Sequence, residues 1–135
     1  MAIRRVSPQE ASELMAKQGY VYVDVRSVPE FSAGHPTGAR NVPLLHLGPA
    51  GMAPNPDFLA VMEKAFAKDA KLVIGCASGG RSFRAAGALE AAGFSQVIDQ
   101  RAGFQGAGEP GWSRAGLPVS TSAPPECTWE GLKAR

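Results

Sequence analysis

Residues 76–82 read Cys-Ala-Ser-Gly-Gly-Arg-Ser and follow the nearly continuous apolar run Lys71-Leu72-Val73-Ile74-Gly75. A strand, a thiol, a glycine-bearing loop and a helix start, in that order, put the sulfur at the carboxyl end of a strand. In wound α/β domains that crevice is where ligands bind. A thiol there faces successive backbone N–H groups and the positive end of a helix, and both stabilise a thiolate and any anion attached to it. Cysteines so placed can have pKa values well below the free value of about 8.5, which makes them nucleophilic at neutral pH. Gly79 and Gly80 are expected to curl the loop so that its amides converge, since glycine takes positive φ without strain. Read alone, Cys76 is equally a small buried hydrophobe ending a core strand. Two consecutive glycines before an arginine and a helix are a poor way merely to end one.

The side chains around this loop leave several roles open. Arg81 is either an anion-binding residue at the mouth or a structural tie to a neighbouring carboxylate, and the rigid fork of a guanidinium suits both. Asp24 and Arg26 end the apolar run Val21-Tyr22-Val23-Asp24-Val25. They either join a salt-bridge network around the loop or form a surface ion pair worth under about 1 kcal/mol. The second cysteine, Cys127, lies in Pro124-Pro125-Glu126-Cys127-Thr128-Trp129 and is expected to be an exposed bystander rather than a resolving or sulfur-accepting thiol.

The elements that must position these residues can be read from periodicity and caps. Ser7-Pro8-Gln9-Glu10 is a helix start, with a serine N-cap, proline at the first helical position and glutamate three residues after the cap. Gly19 is its stop, and Ala11, Leu14 and Met15 form its apolar stripe. Short apolar runs at 21–25 and 71–75 suit strands buried on both faces of a parallel sheet, with 96–99 a third strand and 39–42 a weaker fourth. A helix is expected from about Asn55-Pro56-Asp57 to Lys68-Asp69, burying Phe58, Leu59, Met62 and Phe66. Another runs from about Arg81 to Ala92 with Phe83, Ala86 and Leu89 inward, closed by Gly93 as a left-handed cap and Phe94 as an anchor. Helices alternating with buried strands predict a wound α/β domain with a central parallel sheet.

Composition sets the remaining bounds. The chain has 135 residues, 44% of them hydrophobic and 19% charged, the make-up of one soluble globular domain. A net charge of +2 is too small to call for nucleic acid or an anionic membrane, so any anion site must be local. The N-terminus has no signal-peptide apolar stretch, and no run approaches transmembrane length. Two cysteines without C-x-x-C spacing or a Cys/His cluster predict neither a disulfide scaffold nor zinc, and a reducing, cytoplasmic setting is expected. The chain holds 16 glycines and 11 prolines, an excess that concentrates between Gly103 and Pro125, which reads as a loop and then a tail. The domain is accordingly placed at 1–119 and a C-terminal tail at 120–135.

Three ordered segments resemble the single-domain rhodaneses, the thiosulfate sulfurtransferase family. Cys76-Ala77-Ser78-Gly79-Gly80-Arg81-Ser82 is similar to the family's C-x-x-G-x-R-S loop. Asp24-Val25-Arg26-Ser27-Val28-Pro29-Glu30-Phe31-Ser32-Ala33-Gly34-His35-Pro36-Thr37-Gly38-Ala39-Arg40-Asn41-Val42-Pro43 resembles its D-V-R-x-x-x-E-F-x-x-G-H-I-P-G-A-x-N-I-P signature. Ala102-Gly103-Phe104, Trp112 and Ala115-Gly116-Leu117-Pro118-Val119 resemble its closing segment. The resemblance covers roughly residues 5 to 119 and departs from the family at Pro36-Thr37, at Ala102 and in extra residues from Gly106 to Gly111.

The resemblance implies a rhodanese-like fold and a two-step covalent reaction. The Cys76 thiolate would take the outer sulfur of a small anionic donor such as thiosulfate. It would hold that sulfur as a persulfide and pass it to cyanide or to a thiol, including a protein thiol. The amides of Ala77, Ser78, Gly79, Gly80 and Ser82 would bind the anion, Arg81 would assist, Asp24 and Arg26 would support, and no metal or organic cofactor is needed. Glu30 and Phe31 read as fold-holding, His35 as a satisfied turn histidine, and His46 as lacking a partner in the sequence. Two other classes use similar architecture. A cysteine-dependent phosphatase or arsenate reductase carries C-x5-R, whereas only four residues separate Cys76 from Arg81. A non-catalytic regulatory module of the same fold typically lacks the loop cysteine. A dithiol oxidoreductase is disfavoured because Cys76 has no neighbour at C-x-x-C spacing.

Overall fold

The computed structural model describes residues 3–135. The chain opens with a short strand β1 (Arg4–Val6) and helix α1 (Pro8–Gln18). Helix α1 starts at the capping box: the Glu10 amide donates to Ser7 Oγ at 3.1 Å, and the Ser7 amide donates to the Glu10 carboxylate at 3.0 Å. Gly19 ends it in the left-handed region. Strand β2 (Val21–Asp24), helix α2 (Val28–Ala33) and the short strands β3 (His35–Pro36) and β4 (Arg40–Asn41) come next. A hairpin of β5 (Leu45–Gly48) and β6 (Gly51–Pro54) leads into α3 (Phe58–Ala65), β7 (Lys71–Gly75), α4 (Gly80–Ala91) and β8 (Gln96–Gln100). The last segment holds a 3-10 turn at Trp112–Arg114, strand β9 (Val119–Ser120), a second 3-10 turn at Pro125–Cys127 and helix α5 (Trp129–Ala134).

Five strands form one parallel sheet in the order β1-β8-β7-β2-β4, as the alternation of helices and apolar runs predicts. Side-chain alternation divides it into two apolar layers. Val23, Leu72, Ile74 and Val97 pack with the buried faces of α3, α4 and α5, while Val6, Tyr22, Val73 and Ile98 pack with α1 and Trp112. Both faces are covered, which is why the strand runs carry so few polar residues. β7 lies at the centre, so Cys76 emerges between the ends of β2 and β8.

Two predicted helix faces need correction. In α3 the buried stripe is Phe58, Val61 and Met62, and Leu59 is 38% exposed because it lies one residue, about 100°, from Phe58. That helix stops at Ala65, and Phe66 caps it in an extended conformation, half-buried. In α4 the inward residues are Ser82, Ala85, Ala86 and Leu89; Phe83 is 45% exposed and lies beneath the Arg5 guanidinium, 4.5 Å from its ring centre. Gly93 at φ +102 and the buried Phe94 match the predicted cap and anchor, with the Phe94 amide donating to Leu89 O at 3.0 Å.

The segment after Val119 was expected to be a tail. In the structure it closes the larger core layer: Trp129 and Leu132 are buried there with residues of α3 and α4, and Cys127 is buried rather than an exposed bystander. Thr128 caps α5 by accepting from the Gly131 amide at 3.1 Å. Replacing Leu132 by alanine is expected to cost about 2–3 kcal/mol, toward the low end for a buried leucine because a terminal helix can relax. Urea unfolding of the two proteins checks this, and a loss under about 1 kcal/mol would mean that α5 contributes little to the core.

Candidate active site

Cys76 is 2% exposed, and its sulfur is surrounded by the loop that follows it. The Gly79 amide donates to Cys76 Sγ at 3.0 Å, and the Ser82 hydroxyl oxygen lies 3.5 Å from the same atom. Ser82 Oγ donates to Gly79 O at 3.2 Å, and the Phe83 amide donates to Gly79 O at the same distance. Gly79 is thereby fixed at both its groups, its carbonyl by these two donors and its N–H on the sulfur. Among the described residues no protein acceptor takes the amides of Ala77, Ser78, Gly80, Arg81 or Ser82. They are the open donors of a loop and a first helical turn, free to bind an anion held on the sulfur.

Only one of the two loop glycines has the expected conformation. Gly79 is at φ +98, but Gly80 is the first residue of α4 and is absent from the positive-φ glycines. A single left-handed residue turns the chain from strand end into helix, so the second glycine is not needed for the curl.

Arg81 pairs with a carboxylate. Its Nη1 and Nη2 donate to the two carboxylate oxygens of Glu30 at 2.8 and 2.9 Å, which is the structural tie, one of its two open roles. Glu30 is held in turn by Ser27, whose amide and hydroxyl both donate to Oε1, at 3.1 and 2.8 Å. One carboxylate thus caps α2 and anchors the start of α4. The hydrogen-bonded Arg81 guanidinium lowers the Glu30 pKa from 4.5 to about 2, with burial opposing and Ser27 assisting. The carboxylate is stabilised more in the folded than in the unfolded chain, so this stabilisation is complete above about pH 4.5 and is lost as pH falls toward 2. The stability difference between wild type and Glu30→Gln is therefore expected to shrink over that interval, as read from urea midpoints. A difference that stays constant across it would refute the assignment.

Asp24 and Arg26 form no surface pair. Both are buried; Arg26 Nη2 donates to Asp24 Oδ2 at 2.7 Å and to Gly34 O at 2.6 Å, and the guanidinium lies 4.4 Å from the Phe104 ring centre. The Phe104 amide donates to Cys76 O at 2.7 Å and the Gln105 amide to Ala77 O at 2.9 Å, which joins this pair to the loop. His35 is satisfied, its Nδ1 donating to Phe31 O at 2.8 Å while its ring stacks on Phe31. His46 packs near Trp129, with 5.5 Å between ring centres.

Several contributors have no local signature in the sequence. Arg5, from β1, donates to Asp99 Oδ2 at 2.7 Å and to Gly79 O at 3.3 Å, so the first strand reaches the back of the loop. Asp99 is fully buried; burial raises its pKa, while Ser82 and Arg5 draw it back down. Gln100 holds the turn after β8, its Oε1 accepting from the Ala102 and Gly103 amides at 2.8 and 2.9 Å. The extra residues from Gly106 to Gly111 close on themselves through a Gly106–Pro110 bridge, with Arg101 Nε on Glu109 at 2.7 Å. At the other departure, Pro36 lies in a two-stranded ribbon with β9, and the Thr37 amide donates to Pro118 O.

Residues 7–109 match the family described as Rhodanese-like domain. The chain belongs to the rhodanese family. Among curated rhodanese relatives, thiosulfate sulfurtransferase 16, chloroplastic, of Arabidopsis thaliana is 43% identical over 101 residues, 75% of this chain and 80% of the relative. Thiosulfate sulfurtransferase GlpE of Pseudomonas putida is 37% identical over 102 residues, 76% of this chain and 82% of the relative. Rhodanese-like domain-containing protein 15, chloroplastic, of Arabidopsis thaliana is 40% identical over 112 residues, but the matched region spans only 59% of its length. In fold, the crystal structure of a rhodanese-related protein from Thermoplasma volcanium has a TM-score of 0.65 at 24% identity, covering 88% of this chain and 99% of its own. This rhodanese is thus a member of a sulfurtransferase family. No helix among its described residues is long and apolar enough to cross a membrane.

Proposed function

We propose that the protein moves sulfane sulfur from thiosulfate or a persulfide donor to a thiophilic acceptor through a persulfide on Cys76. The observation that carries this reading is the Gly79 amide donating to Cys76 Sγ at 3.0 Å in a loop whose other amides lack protein acceptors. In the first step the Cys76 thiolate bonds the outer sulfur of the donor. The donor's S–S bond breaks, and its electron pair leaves with sulfite or a thiolate. In the second step cyanide or a thiol, including a protein thiol, attacks the terminal sulfur and returns the electron pair to Cys76. The amides of Ala77, Ser78, Gly79, Gly80 and Ser82 hold the charge that resides on the terminal sulfur, stabilisation by fixed dipoles. Arg81, through Glu30, and the Asp24–Arg26 pair keep that loop in shape, and no metal or organic cofactor takes part.

Residues 1–119 form the catalytic unit in this reading, with 120–135 bracing it, and two free thiols fit a reducing, cytoplasmic setting. The names of the two sulfurtransferase relatives support the reaction class. The short loop and the engaged Arg81 argue against a phosphatase or arsenate reductase. Intact-mass analysis after exposure to thiosulfate or a persulfide tests the proposal, with one added sulfur on Cys76 expected. Turnover of an aryl phosphate without any sulfur transfer would overturn it.

A further inference from the structure

A cavity of about 220 Å³ lies at the β4 edge of the sheet, between α2 and the start of α5, and none of its lining residues belongs to the Cys76 loop. Phe31, His35 and Asn41 reach it from α2, β3 and β4, and the C-terminal segment supplies Trp129 and Glu130. Asn41 is 1% exposed. Its Nδ2 donates to Asp24 O at 2.9 Å and to Arg26 O at 3.0 Å, so its donor is spent on the backbone at the end of β2. Its Oδ1 has no hydrogen-bond partner among the described residues and is the polar group that Asn41 has left for the cavity. A buried amide oxygen in that state needs a donor from outside the fold.

The other strong polar groups of the lining share that need. His35 donates from Nδ1 to Phe31 O at 2.8 Å, which places the hydrogen on that nitrogen and leaves Nε2 an acceptor without a partner among the described residues. Glu130 is exposed and has no ion pair among the described residues; Lys133, in the same helix, pairs instead with Asp57 at 3.6 Å. No lysine or arginine lines the cavity, and its side-chain donors are neutral, hydroxyls and an indole N–H. One water would satisfy Asn41 yet fill only about 30 Å³. A primary ammonium brings three N–H donors, no acceptor, and a positive charge that is attracted to aromatic faces such as Trp129 and Phe31. An anion would meet Glu130 and two further acceptors.

We infer that this cavity binds a small organic primary ammonium, its charged end toward Asn41, His35 and Glu130 and its hydrocarbon body against Phe31 and Trp129. The volume is below the roughly 300–1,000 Å³ of drug-sized pockets, which limits that body to about one ring. The site is separate from Cys76 and stands independently of the sulfurtransferase reading. It also gives the segment after Val119 a second role, since the wall that holds Trp129 and Glu130 exists only where α5 docks.

The test titrates the full chain with phenethylamine at about pH 8, where the amine is protonated, and follows the Asn41 side-chain amide and the Trp129 indole N–H by NMR. Both signals are expected to move with a Kd below about 1 mM. Phenethyl alcohol and phenylacetate carry the same carbons on a neutral and an anionic head, and each should bind at least about tenfold more weakly. Asn41 itself is a poor position to change, because its amide holds Asp24 O and Arg26 O. Glu130→Gln removes the charge at the exposed rim and should weaken the amine by about threefold. Ser32→Phe, at an exposed lining position of α2, puts a ring into the mouth and should weaken it by at least about tenfold. Circular dichroism of each variant checks folding. Asn41 and Trp129 signals unmoved at about 10 mM amine overturn the inference, and water alone then satisfies Asn41. Equal affinity for the alcohol or the carboxylate, or an amine affinity unchanged in either folded variant, overturns it as well.

Discussion

Cys76→Ser is expected to lower sulfur transfer by at least about 10³-fold, because a covalent route loses its nucleophile while binding by the loop amides survives. The size of the loss follows from the element exchanged. A serine hydroxyl is hardly ionised at neutral pH and forms no stable oxygen–sulfur carrier, so neither half-reaction proceeds through it. The same replacement should disturb the fold little. Serine differs from cysteine by one atom, and at this position the Gly79 amide and the Ser82 hydroxyl are already within hydrogen-bonding reach of the side-chain tip. A buried hydroxyl with two partners costs about 1 kcal/mol or less. The expected pattern is therefore near-wild-type urea unfolding with no added sulfur after donor treatment. If the variant still gains sulfur, now on Cys127, the carrier is the other thiol. Transfer within tenfold of wild type would refute covalent catalysis at Cys76.

What the sequence could and could not foretell divides by the range of the interaction. Helix α1 was legible because Ser7, Pro8, Glu10 and Gly19 make its caps from neighbours in the chain. The strand at 71–75 was legible because burial on both faces removes polar residues from a short run. Strand β1 was not, since two of its three residues are arginines, and only pairing with β8 makes it a strand. Helix α2 is a six-residue turn whose start depends on Glu30, itself fixed by an arginine 51 positions away. The choice between the two roles of Arg81 was likewise unreadable, because nothing near residue 81 says which carboxylate faces it. Phe83 shows the converse error. Its spacing from Ala86 and Leu89 fits a buried stripe, but the guanidinium of Arg5 supplies a surface partner for its ring from the far edge of the sheet. The motif around Cys76 was visible as chemistry. The paired charges around it, Arg81 with Glu30 and Arg5 with Asp99, were visible only once elements distant in sequence lay side by side.

The two loop glycines, alike in the sequence, should respond very differently to alanine. At Gly79 the backbone is at φ +98, where a Cβ costs about 1–2 kcal/mol of steric strain. The added atom would also overlap the carbonyl oxygen of Arg101 and lie 3.1 Å from the Arg5 guanidinium, so the loop must retreat from β8 and from the Arg5–Asp99 pair. That retreat moves the N–H that donates to Cys76 Sγ. A displacement near 1 Å at a reacting atom costs about 100-fold in rate. Gly79→Ala is therefore expected to lose about 100-fold in sulfur transfer and about 3 kcal/mol in stability, strain and overlap together. At Gly80 a Cβ meets nothing within 4 Å, and the residue is already helical, so alanine there should stabilise by up to about 1 kcal/mol. Its effect on rate should be at least about tenfold smaller than that at Gly79, since the sulfur-facing amide stays in place. Measuring both variants by urea unfolding and single-turnover sulfuration separates a loop held by one strained residue from one held by glycine flexibility in general. Equal losses at the two positions would favour the latter and remove the special role of the Gly79 amide.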